Sequence, residues 1–282
     1  MTILVTGATG NVGRHVVEQL VARDVPVRAL TRNPDKAGLP RGAETVKADL
    51  TEPAGVPLDG VTAIFLLAVL ESGDAAGLAA ALLKRARDLR RVVFLSSDAV
   101  AVQRPGSCEL HQSVEEVVEA AGVEWTHLRP GEFMSNKMIW AESIKKENVV
   151  RAAYPDAVGT PIHEADIAEV AVRALLEDGH AGRAYRLSGP EALTTRQQVA
   201  AFGEGLGREI AFEALTYGQA RAALIREVGL PPDIAEYLMG YQAQFNEEPS
   251  ELLPTFEEVT GRRGRTLAQW AAEHADAFSV VR

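Results

Sequence analysis

Short apolar runs alternate with stretches of helical spacing along the first half of the chain. Residues 2–6 (TILVT) form a β run, and beyond three glycines Val12, Val16, Val17, Leu20 and Val21 recur on one helix face. Residues 25–31 (VPVRALT) and 43–48 (AETVKA) predict two further strands. Residues 62–69 (TAIFLLAV) are almost wholly apolar, as a strand covered on both faces should be. A helix is expected over 74–89, a strand over 91–97, a helix over 110–121 and a strand over 123–129, ended by Pro130 and Gly131. Parallel strands need crossovers, and right-handed crossovers place helices on both faces of the sheet. The expected fold class is therefore α/β, a doubly wound parallel sheet.

Beyond Gly131 the pattern becomes mostly helical. Helices are expected over 133–148, 163–178, 194–206 and 266–274, with two more between 215 and 243 divided at Pro231 and Pro232. Residues 183–189 (RAYRLSG) read as a late strand. The expected organisation is a nucleotide-binding core over 1–132 and a smaller, mostly helical lobe over 133–282, with segments around 149–190 returning to the core.

Composition narrows the function. Of 282 residues 46% are hydrophobic, enough for a sizeable core, and the net charge of −10 comes with no basic tract. Nucleic acid is thus not the expected partner. The longest apolar stretch, AIFLLAVL, is too short to span a bilayer, and the first residues read as strand without a basic leader. A soluble cytoplasmic protein, monomeric or homodimeric, with a small-molecule substrate is expected. Cys108, the single cysteine, reads as a packing residue, and the six histidines are too scattered for a metal site.

Gly7, Gly10 and Gly13 stand between the first strand and the first helix. In that setting they predict a dinucleotide loop: Gly7 for the tight turn, Gly10 for approach of the diphosphate, Gly13 for close helix packing. The first-turn N–H groups and the helix dipole then face the anion. The bland alternative is a purely structural turn, and Thr9 and Asn11 could serve either as ligands or as turn residues. The second strand ends in Thr31 and Arg32, with no acid to bind ribose hydroxyls. Arg32 can fork onto a 2′-phosphate, which predicts NADP(H) over NAD(H), although an exposed arginine opening a loop is the competing reading.

The segments VTGATGNVG, VRALTRNPDKA, KADL, FLSS, VEWTHLRPGEFMSN and EADIAEVAVRALLED resemble the NmrA-like proteins, atypical members of the short-chain dehydrogenase/reductase superfamily. The likeness continues through YRLSGPEALT to VTGRRGRTLAQW, nearly the whole chain. It implies an NADP(H)-binding Rossmann domain with a C-terminal substrate lobe. It also implies either a reductase of quinones and dyes or a transcriptional co-regulator that binds the cofactor without turnover. Carried over, Gly7, Thr9, Gly10, Asn11, Val12 and Gly13 would hold the diphosphate and Arg32 the 2′-phosphate. Asp49 and Leu50 would flank the adenine, Leu67 and Ala68 the ribose, and Ser96 the nicotinamide. Pro130, Gly131, Glu132 and Phe133 would close over the nicotinamide.

The chain departs from the superfamily at its Tyr-x-x-x-Lys pair. Alignment of the helix puts Ser107 and His111 at those two positions, and no tyrosine lies between Ser97 and Arg129. An isolated ketone needs a positioned acid, whereas a quinone or enone delocalises the incoming charge. The expected substrate is therefore conjugated or quinone-like; the alternative is a non-catalytic NADP(H) sensor, and an epimerase or dehydratase is a third reading. His111 and Ser96 are the candidate catalytic residues, each with an ordinary structural alternative. Phe133, Met134, Met138, Trp140, His163, Tyr241 and Phe245 are candidate substrate contacts, equally readable as core or helix-entry residues. Glu132 could act as an acid or sit solvated, and Asp166 and Glu169 read as surface or capping charges.

Overall fold

The computed structural model describes residues 2–68 and 73–279. The elements run β1 (Thr2–Val5), α1 (Asn11–Val21), β2 (Val27–Thr31), β3 (Ala43–Lys47), β4 (Val61–Leu66), α2 (Ala75–Arg85), β5 (Arg91–Leu95), α3 (Asp98–Ala101), α4 (Cys108–Glu119) and β6 (Glu124–Pro130). They continue with α5 (Ala141–Glu147), β7 (Val149–Ala152), β8 (Val158–Gly159), α6 (Glu164–Leu176), β9 (Arg183–Leu187), β10 (Leu193–Thr194) and α7 (Thr195–Leu206). β11 (Ala211–Ala214), α8 (Tyr217–Arg226), α9 (Pro232–Glu247), α10 (Thr255–Thr260) and α11 (Leu267–Glu273) complete the chain.

Two compact units emerge, one from Met1–Gly131, Glu164–Leu187 and Thr255–Arg262, the other from Glu132–His163, Ser188–Pro254 and Arg263–Arg282. The first is a seven-stranded sheet in the order β3-β2-β1-β4-β5-β6-β9, parallel throughout. Central β4 is buried at five of its six positions, whereas edge strand β3 is never fully buried. That is why residues 63–66 read as an unbroken apolar run and residues 43–48 do not. Val69, the end of the strand expected there, lies outside the described residues. α6 is buried at ten of thirteen residues and packs beside α1, where Gln19 Nε2 donates to the Ala165 carbonyl at 2.9 Å.

The chain that returns to the sheet is Glu164–Leu187 together with Thr255–Arg262; residues 149–163 stay with the second unit. Asp166, in the first turn of α6, is not a surface charge. Asp166 is 1% exposed, and both carboxylates accept hydrogen bonds from Arg262. The partner lies 96 residues from Asp166, beyond any local pattern.

The second unit is built on Met134, Trp140, Ile144, Phe202, Trp270 and Phe278, with Phe202 meeting Trp140 and Phe278 edge-on. Two small sheets, β7 with β11 and β8 with β10, were not anticipated. The stretch expected as one helix over 133–148 is a 3₁₀ segment, Met134–Trp140, followed by α5. Asn148, at φ 53°, then turns the chain out of the helix and into β7. α7, α8 and α11 each start from a threonine capping box, at Thr194, Thr216 and Thr266.

Arg262→Ala removes the guanidinium hydrogen bonds to buried Asp166 and to Glu169. We expect a loss of about 2–3 kcal/mol in urea unfolding, with the cofactor-independent spectrum of the native state unchanged.

Candidate functional site

The β1–α1 loop is shaped by backbone contacts that exclude side chains. Gly7 has φ +57°, the left-handed region, and a Cβ there would lie 2.4 Å from Leu67 Cδ2. A Cβ on Gly13 would come 2.2 Å from the Gly7 carbonyl oxygen, so only glycine lets α1 start this close to the loop. Gly10 is the N-cap of α1 and brings no side chain to the first-turn N–H groups. Thr6 fastens the neighbouring strand end: its hydroxyl accepts from the Leu67 N–H at 2.6 Å and lies 3.2 Å from the Phe65 and Leu67 carbonyls. The loop after β4 is thereby held beside the glycine turn.

A cavity of about 480 Å³ opens there, at the carboxyl ends of β1, β2 and β3. Its lining brings together Gly7, Thr9, Gly10, Arg32, Asp49, Leu50, Leu67 and Ala68, eight of the residues singled out from the sequence. Asn11, Val12 and Gly13 occupy the first turn of α1 instead. Arg32 is exposed and makes no side-chain hydrogen bond among the described residues. Asp49 accepts from both the N–H and the hydroxyl of Thr51 at 2.9 Å; these bonds, with Arg32 nearby, hold its pKa below the ordinary value. Thr31, which ends the second strand beside Arg32, lines the cavity too, as do Asn33 and Thr51, which the sequence reading does not single out, though Asp49-Leu50-Thr51 carries the signature of an Asx turn. The cavity has the backbone of the glycine loop on one side and Arg32 on its lining.

A second polar group sits where β5 and β6 end. Ser96, 5% exposed, donates its hydroxyl to Glu115 Oε1 at 2.5 Å. Arg129 donates Nε to the same oxygen at 2.9 Å and Nη2 to Oε2 at 2.5 Å. Burial alone would raise the Glu115 pKa, but the bonds from Arg129 and Ser96 outweigh it and hold the carboxyl below its usual range. Next along β6, His127 is fully buried, stacks on Trp125 at 4.5 Å and places Nε2 3.2 Å from Glu119. Burial lowers the His127 pKa, so the ring is neutral near pH 7, and its Nδ1 has no hydrogen-bond partner. Glu115, Glu119 and His127 bring ligand-type atoms within 4.8 Å of one another, but Arg129 already neutralises Glu115. Glu115 and Arg129 were not singled out in the sequence; they lie on different elements, 14 residues apart.

His111 sits on the first turn of α4, half-buried, with Nδ1 2.8 Å from the Ser107 carbonyl. Pro130 is buried at the end of β6, and the Gly131 N–H donates to the Leu187 carbonyl at 3.0 Å. In the second unit Glu132 accepts a hydrogen bond from Lys137 at 2.6 Å. Met134 and Trp140 belong to that unit's core, and His163, 1% exposed, meets Glu273 at 3.1 Å. Phe133, Met138, Tyr241 and Phe245 keep exposed surface, Tyr241 and Phe245 in edge contact at 4.4 Å. A separate open groove of about 600 Å³ lies between α7 and β11, with Arg196 set over the Phe212 ring. No helix among the described residues is long and apolar enough to cross a membrane.

Residues 7–178 match the model of a family described as NAD(P)H-binding. A reductase of Streptomyces griseus, named for (4-alkanoyl-5-oxo-2,5-dihydrofuran-3-yl)methyl phosphate, is 41% identical across 98% of this chain and 99% of its own length. The NAD(P)H azoreductase of Xenophilus azovorans is 32% identical across 99% of this chain and 100% of its own. Among solved structures, the NADPH-dependent quinone oxidoreductase of Escherichia coli, complexed with NADPH, superposes with a TM-score of 0.80. It is 27% identical and covers 96% of this chain and 99% of its own. The negative transcriptional regulator NmrA, in complex with NADP, shares the fold at 17% identity, with a TM-score of 0.74 over 96% of this chain and 94% of its own.

His127 ties the stability of the β5–β6 region to pH. Its folded pKa lies below the unfolded value of 6.5, so its contribution is complete above that pH and is lost as pH falls toward the folded value. Glu115, lowered from 4.5, loses its contribution only at more acid pH. Stability to unfolding should therefore fall as the pH drops below about 6.5, by up to about 1.4 kcal/mol per pH unit, and His127→Phe should flatten that slope.

Proposed function

The chain belongs to the NAD(P)H-binding family, in its NmrA-like branch of oxidoreductases, and on that premise we propose that it is an NADPH-preferring reductase of a small conjugated carbonyl or quinone-like substrate. The observation that carries the reading is the cavity beside the glycine loop, where an exposed arginine and no second-strand acid waits at the ribose position. The glycine loop and the first turn of α1 would hold the diphosphate, Arg32 the 2′-phosphate, and Asp49 and Leu50 the adenine. Bound NADPH supplies the hydride.

The substrate class follows from what α4 lacks. Its sequence from Cys108 to Glu119 contains no tyrosine, and the only tyrosine of the first unit, Tyr185, is hydrogen-bonded to His180. A positioned acid adds about 10²–10⁴-fold to such reactions, so an acceptor that delocalises its own charge is favoured. The furanone named for the Streptomyces griseus relative is a carbonyl conjugated to a ring double bond, and the Escherichia coli structure is of a quinone reductase; both names support this class. His111 is the imidazole of the site in this reading. With Nδ1 donating to the Ser107 carbonyl, Nε2 is the nitrogen left to exchange a proton. Phe133, Met138, Tyr241 and Phe245, which retain exposed surface in the second unit, are the proposed substrate contacts.

Two measurements test this. Arg32→Ala should weaken NADPH binding about 10–100-fold and leave NADH within about threefold; equal losses would remove Arg32 from the 2′-phosphate. NADPH oxidation followed with a panel of acceptors should give kcat/KM for quinones and enones at least about 10²-fold above that for isolated ketones. Tight NADPH binding with no turnover on any acceptor would instead support the cofactor-sensing regulator.

A further inference from the structure

The polar group at the ends of β5 and β6 sets the direction of a hydrogen bond. A serine hydroxyl has one proton and two lone pairs. The Ser96 proton goes to Glu115 Oε1 at 2.5 Å. Glu115 cannot be the donor in that contact, because Arg129 engages both of its oxygens and keeps it a carboxylate, which only accepts. Glu115 is 3% exposed, so no solvent competes for its bonds. Whatever meets Ser96 from outside this trio meets a lone pair.

The place of Ser96 in the sheet says what that partner is. A doubly wound sheet holds a dinucleotide across its switch point, one mononucleotide on each half. The switch lies between β1 and β4, and the cavity with Arg32 belongs to the half formed by β1, β2 and β3. The other half falls to the carboxyl ends of β4 and β5, and Ser96 is the residue that follows β5. The nicotinamide ring has one strong hydrogen-bond donor, its carboxamide N–H₂. Resting on the NAD(P)H reading above, we propose that Glu115 is a positioning residue that fixes Ser96 as a hydrogen-bond acceptor for the nicotinamide carboxamide. Ser96 then orients the ring and gives no proton to substrate, in keeping with a reaction that does without the tyrosine acid.

The test compares dissociation constants, measured by fluorescence titration without turnover, for NADPH and its reduced 3-acetylpyridine analogue, in which a methyl replaces the carboxamide N–H₂. The native protein should favour NADPH about tenfold, the worth of one well-made hydrogen bond. Ser96→Ala should bring the two ligands within about twofold. Glu115→Ala should narrow the difference as well, because without the carboxylate the serine proton is free to turn outward. A merely structural Glu115 would lower the melting temperature and leave the ratio intact. Glu115→Ala strands Arg129, so Ser96→Ala, which removes only a hydroxyl, carries the test if that variant does not fold. A ratio unchanged in Ser96→Ala, a ratio kept in a folded Glu115→Ala, or no preference in the native protein each overturns the proposal while leaving NADPH binding standing. Failure of the native protein to bind either nucleotide overturns the family reading and this proposal together.

Discussion

A hydrogen atom is all that fits on the face of Gly13 toward the β1–α1 loop, since a Cβ there would lie 2.2 Å from the Gly7 carbonyl. That contact fixes where α1 begins and directs its uncapped first turn at the mouth of the cavity. It also sets the position of the loop after β4, which Thr6 fastens to the end of β1. The geometry of the glycine loop is therefore a property of backbone packing, with side chains such as Arg32 and Asp49 lining the cavity around it.

The charges in this acidic chain divide by what burial does to them. At the cavity rim, Asp49 is kept ionised by hydrogen bonds from Thr51 and stays available to solvent and ligand. Between β5, β6 and α4, burial would favour a neutral Glu115, and only the Arg129 fork reverses that. His127 has no such partner on Nδ1 and is driven neutral. One β6 face thus carries a permanently paired charge and, two residues away, a group whose charge state follows acidity.

The loss of the tyrosine acid and the inward turn of the Ser96 hydroxyl point the same way. In the proposed reaction neither position supplies a proton, which leaves proton exchange to His111 and puts the burden on placing the hydride donor and on an acceptor that spreads charge. The names of the full-length relatives, a furanone reductase and an azoreductase, lie in that range of acceptors.

Periodicity and glycine placement were enough to read the parallel sheet, the glycine loop and most of the cavity, because each depends on residues near one another in sequence. Eight of the expected cofactor residues line one cavity because consecutive strands end on the same edge of the sheet. Short pairings escaped: β7 with β11 spans about 60 residues, and four-residue strands leave little pattern once a helix is read across their start. Asp166 and Glu169 looked like surface charges until Arg262 arrived from the C-terminal part of the chain, and Glu115 had no visible purpose until β6 set Arg129 beside it. Local backbone preference and hydrophobic spacing are written in the order of residues. The partner of a buried charge is chosen only when distant segments pack, because its cost is met by whichever opposite charge the fold brings within hydrogen-bond reach.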